Sequence, residues 1–153
     1  MFEGQRWHTT NLTWSLLRME YMNELSRQDI IEELNRALKV WSSNTQLRFN
    51  FLERSELADI QVSFHRGYHG DGYPFDGIGA VLAHAFFPGP GRGGDAHFDE
   101  DEHWTNQGRS DGEVTSLYAV ALHEFGHSLG KLLKSNHKFI SLENSLFRVY
   151  IYL

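Results

Sequence analysis

The sequence predicts one mixed α+β domain built on a single sheet. Three observations carry this. A strongly periodic helix lies in the first third of the chain, and a second apolar helix lies near residue 120. Short runs with strand alternation fall between and before them. The middle is rich in glycine and histidine, with seven of the nine histidines between His65 and His127. Such a middle suggests loops organised around ions. At 153 residues the chain is long enough for one domain with its own core and short for two.

The elements follow in order. "LTWSLL" (12–17) reads as a first strand, with aromatic and branched residues between polar flanks. Ser26 to about Trp41 reads as a helix. Ser26 suits an N-cap, with Asp29 three positions on completing a capping-box variant. Ile30, Ile31, Leu34, Leu38 and Trp41 give it one apolar stripe. "LRFNF" (47–51) and "DIQVSF" (59–64) alternate as half-buried strands. "AVLAHAF" (80–86) fits a further strand, and "DAHFD" (95–99) a short edge strand. Ser116 to Leu129 reads as the last helix, closed by Gly130 at C′.

Composition excludes several classes. A net charge of −6 argues against a general nucleic-acid or anionic-membrane footprint. No apolar run reaches the length of a membrane span. "MFEGQRWHTT" lacks the apolar stretch of a signal peptide. The absence of cysteine excludes disulfides and thiolate metal ligands.

His123-Glu124-x-x-His127-x-x-Gly130 has the spacing of a catalytic zinc helix. Histidines four apart project from one helical face and can converge on one zinc. Glu124 is placed to take a proton from a water that zinc activates. Gly130 allows the chain to turn sharply and return a third ligand. A surface helix carrying two histidines by chance is the competing reading. The glycine offset and the apolar surroundings favour zinc.

His69, Asp71, His84 and His97 suit a closed, structural zinc site. Asp76, Asp99 and Glu102, interleaved with glycines, suit calcium. The run Asp99 to Glu102 also fits a solvated acidic loop, but its mixing with His and Gly favours ions.

The segments "RWHTTNLTW", "DIQVSFHRGYHGDGYPFDG", "LAHAFFPGPGRGGDAHFDEDEHWT" and "VALHEFGHSLG" together resemble the catalytic domain of matrix metalloproteinases, of the metzincin clan. The resemblance covers residues 5–130, as the N-terminal subdomain of that catalytic domain. It implies a twisted five-stranded mixed sheet with three helices, the last after the active site. It implies a secreted or pericellular zinc- and calcium-dependent endopeptidase that cuts extracellular matrix proteins. It also implies a tissue inhibitor of metalloproteinases as a partner. Structural zinc falls on His69, Asp71, His84 and His97. One calcium falls on Asp76, Gly77, Gly79, Val81, Asp99 and Glu102. A second falls on Asp59, Gly91, Gly93 and Asp95. The catalytic zinc falls on His123 and His127, with Glu124 as base. The strand holding His84 and Ala85 is the implied edge for an extended peptide substrate.

The pattern breaks after Gly130. The third zinc histidine is due three residues on, where Leu133 stands. "KLLKSNHKFISLENSLFRVYIYL" (131–153) reads as a non-matching tail without the family's methionine turn, pocket wall or final helix. An altered transcript or gene boundary at Gly130 is one expectation. His137 lies seven residues beyond the glycine and is a poor substitute ligand. A catalytically impaired, zinc- and calcium-binding module is the alternative to an active enzyme.

Overall fold

A computed structural model describes residues 5–20, 24–107 and 114–130. The tail after Gly130, with Leu133, His137 and the implied third helix, lies outside the described residues. The described residues form seven strands and two helices. They are β1 (Asn11–Arg18), α1 (Arg27–Asn44), β2 (Arg48–Phe51), β3 (Ile60–His65), β4 (Ala83–Ala85), β5 (Ala96–Asp99), β6 (Trp104–Thr105), β7 (Thr115–Ser116) and α2 (Leu117–Ser128).

Five strands form a mixed sheet in the order β2-β1-β3-β5-β4. Strands β2, β1, β3 and β5 run parallel, and β4 runs antiparallel to β5. Parallel neighbours need a crossover, which α1 supplies between β1 and β2. "DAHFD" is therefore not an edge: β5 is interior, and β4 takes the edge beside it. The expected run 80–86 narrows to three paired residues, because Gly79 (φ 93°) and Ala80 (φ 45°) turn the chain before it. Strands β6 and β7 form a separate two-stranded parallel pair.

Alternation divides the sheet into two functional faces. Leu12, Trp14 and Leu16 of β1, Ile60, Val62 and Phe64 of β3, and Phe98 of β5 join one buried cluster. Ile30, Leu34 and Leu38 of α1 and Val120, Ala121 and Phe125 of α2 pack into it. The intervening residues Ser63, His65, His84 and His97 take the other face. Register aligns Ser63 with His97 and His97 with His84 in one row across three strands.

The start of α1 follows the sequence closely. Ser26 Oγ accepts from the Asp29 N–H at 3.1 Å, and the Asp29 carboxylate accepts from the Ser26 N–H at 2.9 Å. The Ser26 hydroxyl, donating to the Asp29 carboxylate at 2.6 Å, and the Ser26 N–H hold that carboxyl below its usual range. Ser26→Ala is expected to lower the melting temperature by about 3 °C, since a lost cap costs about 1 kcal/mol. Thermal unfolding followed by circular dichroism measures this.

Candidate metal centres and peptidase site

Helix α2 is anchored at three points. The Ser116 hydroxyl caps its start, accepting from the Ala119 N–H at 3.4 Å. The Trp41 indole donates to the Leu122 carbonyl at 3.0 Å. At the far end the Trp7 indole donates to the Ser128 carbonyl at 2.8 Å. Leu129 closes the helix, and Gly130 turns the chain with φ 84°. A Cβ at Gly130 would sit 2.1 Å from the Gln5 carbonyl oxygen. Gly130→Ala is therefore expected to cost about 2 kcal/mol from left-handed strain and the clash, lowering the melting temperature by about 5 °C. Equilibrium urea unfolding checks it.

This anchoring presents the HExxH side chains. His123 Nε2 and His127 Nε2 lie 3.2 Å apart, both turned to one point. The edge of one Phe87–His127 ring pair meets the other's face at 5.7 Å. Burial pushes His123 down to about 4, with His127 adding to the effect. A neutral imidazole is the form that can ligate a metal. Glu124 is buried, and its Oε1 has no hydrogen-bond partner among the described residues. Burial pushes its carboxyl up to about 8. A buried carboxyl oxygen without a partner, on the residue next to one of two convergent imidazoles, fits a site completed by a cation. The described residues bring two nitrogen ligands here.

The second constellation is tighter. Asp71 Oδ2 lies 2.8 Å from His69 Nε2, 2.6 Å from His84 Nε2 and 2.8 Å from His97 Nδ1. All four donor atoms fall within 4.8 Å of one another. Among the described residues this is the one group of three or more ligand-type side chains that converges so. Three imidazoles and a carboxylate fit zinc in a closed site. Gly67 O faces His69 Nδ1 at 2.9 Å, which leaves Nε2 for a metal. Burial opposes ionisation of Asp71, yet the Tyr73 N–H, His84 and His97 hold its carboxyl well below the usual range. Burial lowers His84, and it takes His97 to about 4 against the pull of Asp71.

The residues expected at the first calcium cluster through their N–H groups. Gly77 donates to Asp99 at 3.1 Å, Gly79 to Glu102 at 2.5 Å and Val81 to Asp76 at 3.2 Å. Burial raises Asp99 to about 6 and also raises Glu102, with Asp76 adding to both. At the second, Asp59 Oδ2 accepts from the Thr13 N–H and hydroxyl, each at 2.7 Å. Asp95 accepts from the Gln61 N–H at 3.0 Å and is raised by burial to about 6. Gly91 (φ 69°) and Gly93 lie in the turn leading to Asp95, and Gly93 backs closely onto Gly89.

Sequence reasoning gave no role to His65, Phe75 or Arg92. His65 stacks on His69 with centroids 4.6 Å apart, and Phe75 stacks on it at 4.8 Å. Burial, with His69 adding, pushes His65 down to about 4. The Arg92 guanidinium donates to the Asp71 carbonyl at 2.7 Å and covers the Phe86 ring. The alternation of β3 was the available signal for His65. The other two depend on loop paths that no spacing encodes.

Two imidazoles aimed at one point, with a buried glutamate between them in sequence, are the arrangement of a metallopeptidase domain. The chain belongs to the matrixin family, whose sequence model matches residues 6–143. It is 49% identical over 129 residues to matrix metalloproteinase-2 of Drosophila melanogaster, covering 84% of this chain and 16% of that protein. It is 50% identical over 125 residues to interstitial collagenase of Sus scrofa, covering 82% and 25%. It is 48% identical over 125 residues to stromelysin-1 of Mus musculus, again covering 82% and 25%. The chain thus spans a quarter or less of the length of these relatives. Membership implies zinc. No helix among the described residues is long and apolar enough to cross a membrane.

Proposed function

We propose that this chain is a zinc-dependent metalloendopeptidase domain acting on extracellular matrix proteins outside the cell. The observation that carries this is the convergence of His123 and His127 beside buried Glu124. Zinc, when bound there, supplies Lewis acidity that polarises the scissile carbonyl and lowers the pKa of water. Glu124 would take a proton from the attacking water and hand it to the leaving amine. Strand β4 lies at the sheet edge, so His84 and Ala85 can pair with an extended substrate backbone. His69, Asp71, His84 and His97 hold a structural zinc. Asp76, Gly77, Gly79, Val81, Asp99 and Glu102 form one calcium site, and Asp59, Gly91, Gly93 and Asp95 a second. A tissue inhibitor of metalloproteinases is a candidate partner at the same edge.

A second reading rests on Leu133, which stands where the third zinc histidine is due. With two protein ligands, zinc at α2 binds more weakly, and the chain acts as a non-catalytic zinc- and calcium-binding module. Zinc per chain and cleavage of a collagen-like peptide, measured in one preparation, separate the readings. Two zincs with cleavage abolished by Glu124→Gln support the enzyme. One zinc without cleavage supports the binding module.

A further inference from the structure

We infer that His65 is a positioning residue of the four-ligand centre, clamping the His69 imidazole against Phe75. The inference rests on the reading that this centre holds zinc. His69 belongs to the loop after β3, between Gly67 (φ 49°) and Gly70 (φ 91°). Its Nδ1 faces Gly67 O and its Nε2 faces Asp71, but two contacts at the ring nitrogens still leave the ring free to tilt about the line that joins them. Two flanking rings remove that freedom. His65 lies parallel to His69 within 7° at 4.6 Å, and Phe75 within 16° at 4.8 Å. Each lies against His69 in stacked geometry, so the plane of the His69 ring is set by its neighbours.

His65 is itself fixed. Its Nε2 lies 2.7 Å from the Ser63 hydroxyl, and Ser63 is buried on rigid β3, in register with His97. The edge-to-face contact between His65 and His97, at 5.0 Å and 70°, touches a second ligand. A strand, not the loop, therefore sets the plane of the loop ligand. Outer partners that orient metal-ligating histidines typically contribute 10–100-fold in affinity.

The test uses the full chain carrying His123→Ala and His127→Ala, so that zinc release reports on the four-ligand centre. Release into a chromogenic chelator is timed, and cobalt is substituted to record its visible ligand-field bands. His65→Ala is expected to release zinc about 10-fold faster and to shift the cobalt bands. His65→Phe, which restores a planar ring, is expected to stay near the parent in both. Ser63→Ala is expected to fall between them, and serves if His65→Ala does not fold. Parent-like release and cobalt bands in His65→Ala, or in Ser63→Ala if that variant must stand in, overturn the inference. So does His65→Phe behaving like His65→Ala. A parent that binds no zinc sinks the metal reading and this inference together, and stoichiometry makes that outcome distinct.

Discussion

Asp71→Ala is expected to empty the four-ligand centre and to lower the melting temperature by about 10 °C. Asp71 Oδ2 is the atom on which three imidazoles converge, at 2.6–2.8 Å. Its removal leaves three part-buried rings without the acceptor they surround. Leaving several part-buried polar groups without the acceptor they share, at about 1–3 kcal/mol each, costs on the order of 3–5 kcal/mol. For a domain of this size that corresponds to a drop of roughly 6–20 °C. Any metal bound there adds its own linked stability, which is lost as well. Calorimetry with and without excess zinc reads both parts. A wild-type melting curve indifferent to chelator would refute the metal contribution.

The second large effect concerns Glu124 in the metal-free protein. Its carboxyl is held near pKa 8 in the fold, against 4.5 for an ordinary glutamate. Near pH 4 the group is largely protonated in both states and costs little. As pH rises, the unfolded chain releases the proton while the folded chain retains it, so stability falls. The loss is complete once pH passes about 8. Glu124→Gln removes this dependence, and its buried amide returns part of the gain. In chelator at pH 8 the variant is therefore expected to be more stable by on the order of 2 kcal/mol. The two proteins converge near pH 4. Urea titrations at several pH values test this, and equal slopes with pH in both proteins would refute it. With zinc present, the same variant is expected to lose peptide cleavage by ~10²–10⁴-fold.

Local chemistry was the legible part of the fold. Ser26 and Asp29 fix the start of α1 because a capping box acts within three residues. Its end is less legible. Ser43, Asn44 and Thr45 bond back to the carbonyls of Lys39, Val40 and Trp41, which carries the last turn past the apolar stripe. Alternation gave the faces of β1 and β3 but not their neighbours. "DAHFD" looks like an edge because it is short and polar-flanked, yet β4 covers it. The two-residue pairs of β6 and β7 are shorter than any pattern can register. At the site, His69, Asp71, His84 and His97 stood out through residue type alone, since few other roles use three histidines and an aspartate among glycines. The stack of His65 and Phe75 around His69 did not, because it depends on where the loop returns.

The contact between Trp7 and Ser128 has a consequence for the order of assembly. It joins residues 121 positions apart, whereas His69 and His97 meet across 28. Closing the longer loop costs roughly 1 kcal/mol more in chain entropy. On the ribosome every ligand of the four-residue centre emerges before α2 has been made. Metal capture at the sheet can therefore come early, as a local event. Trp7 must wait for the 121 residues that follow it before it finds the end of α2. Among the described residues, the HExxH helix is thus the last element to be locked, onto a sheet whose four convergent side chains are already in place.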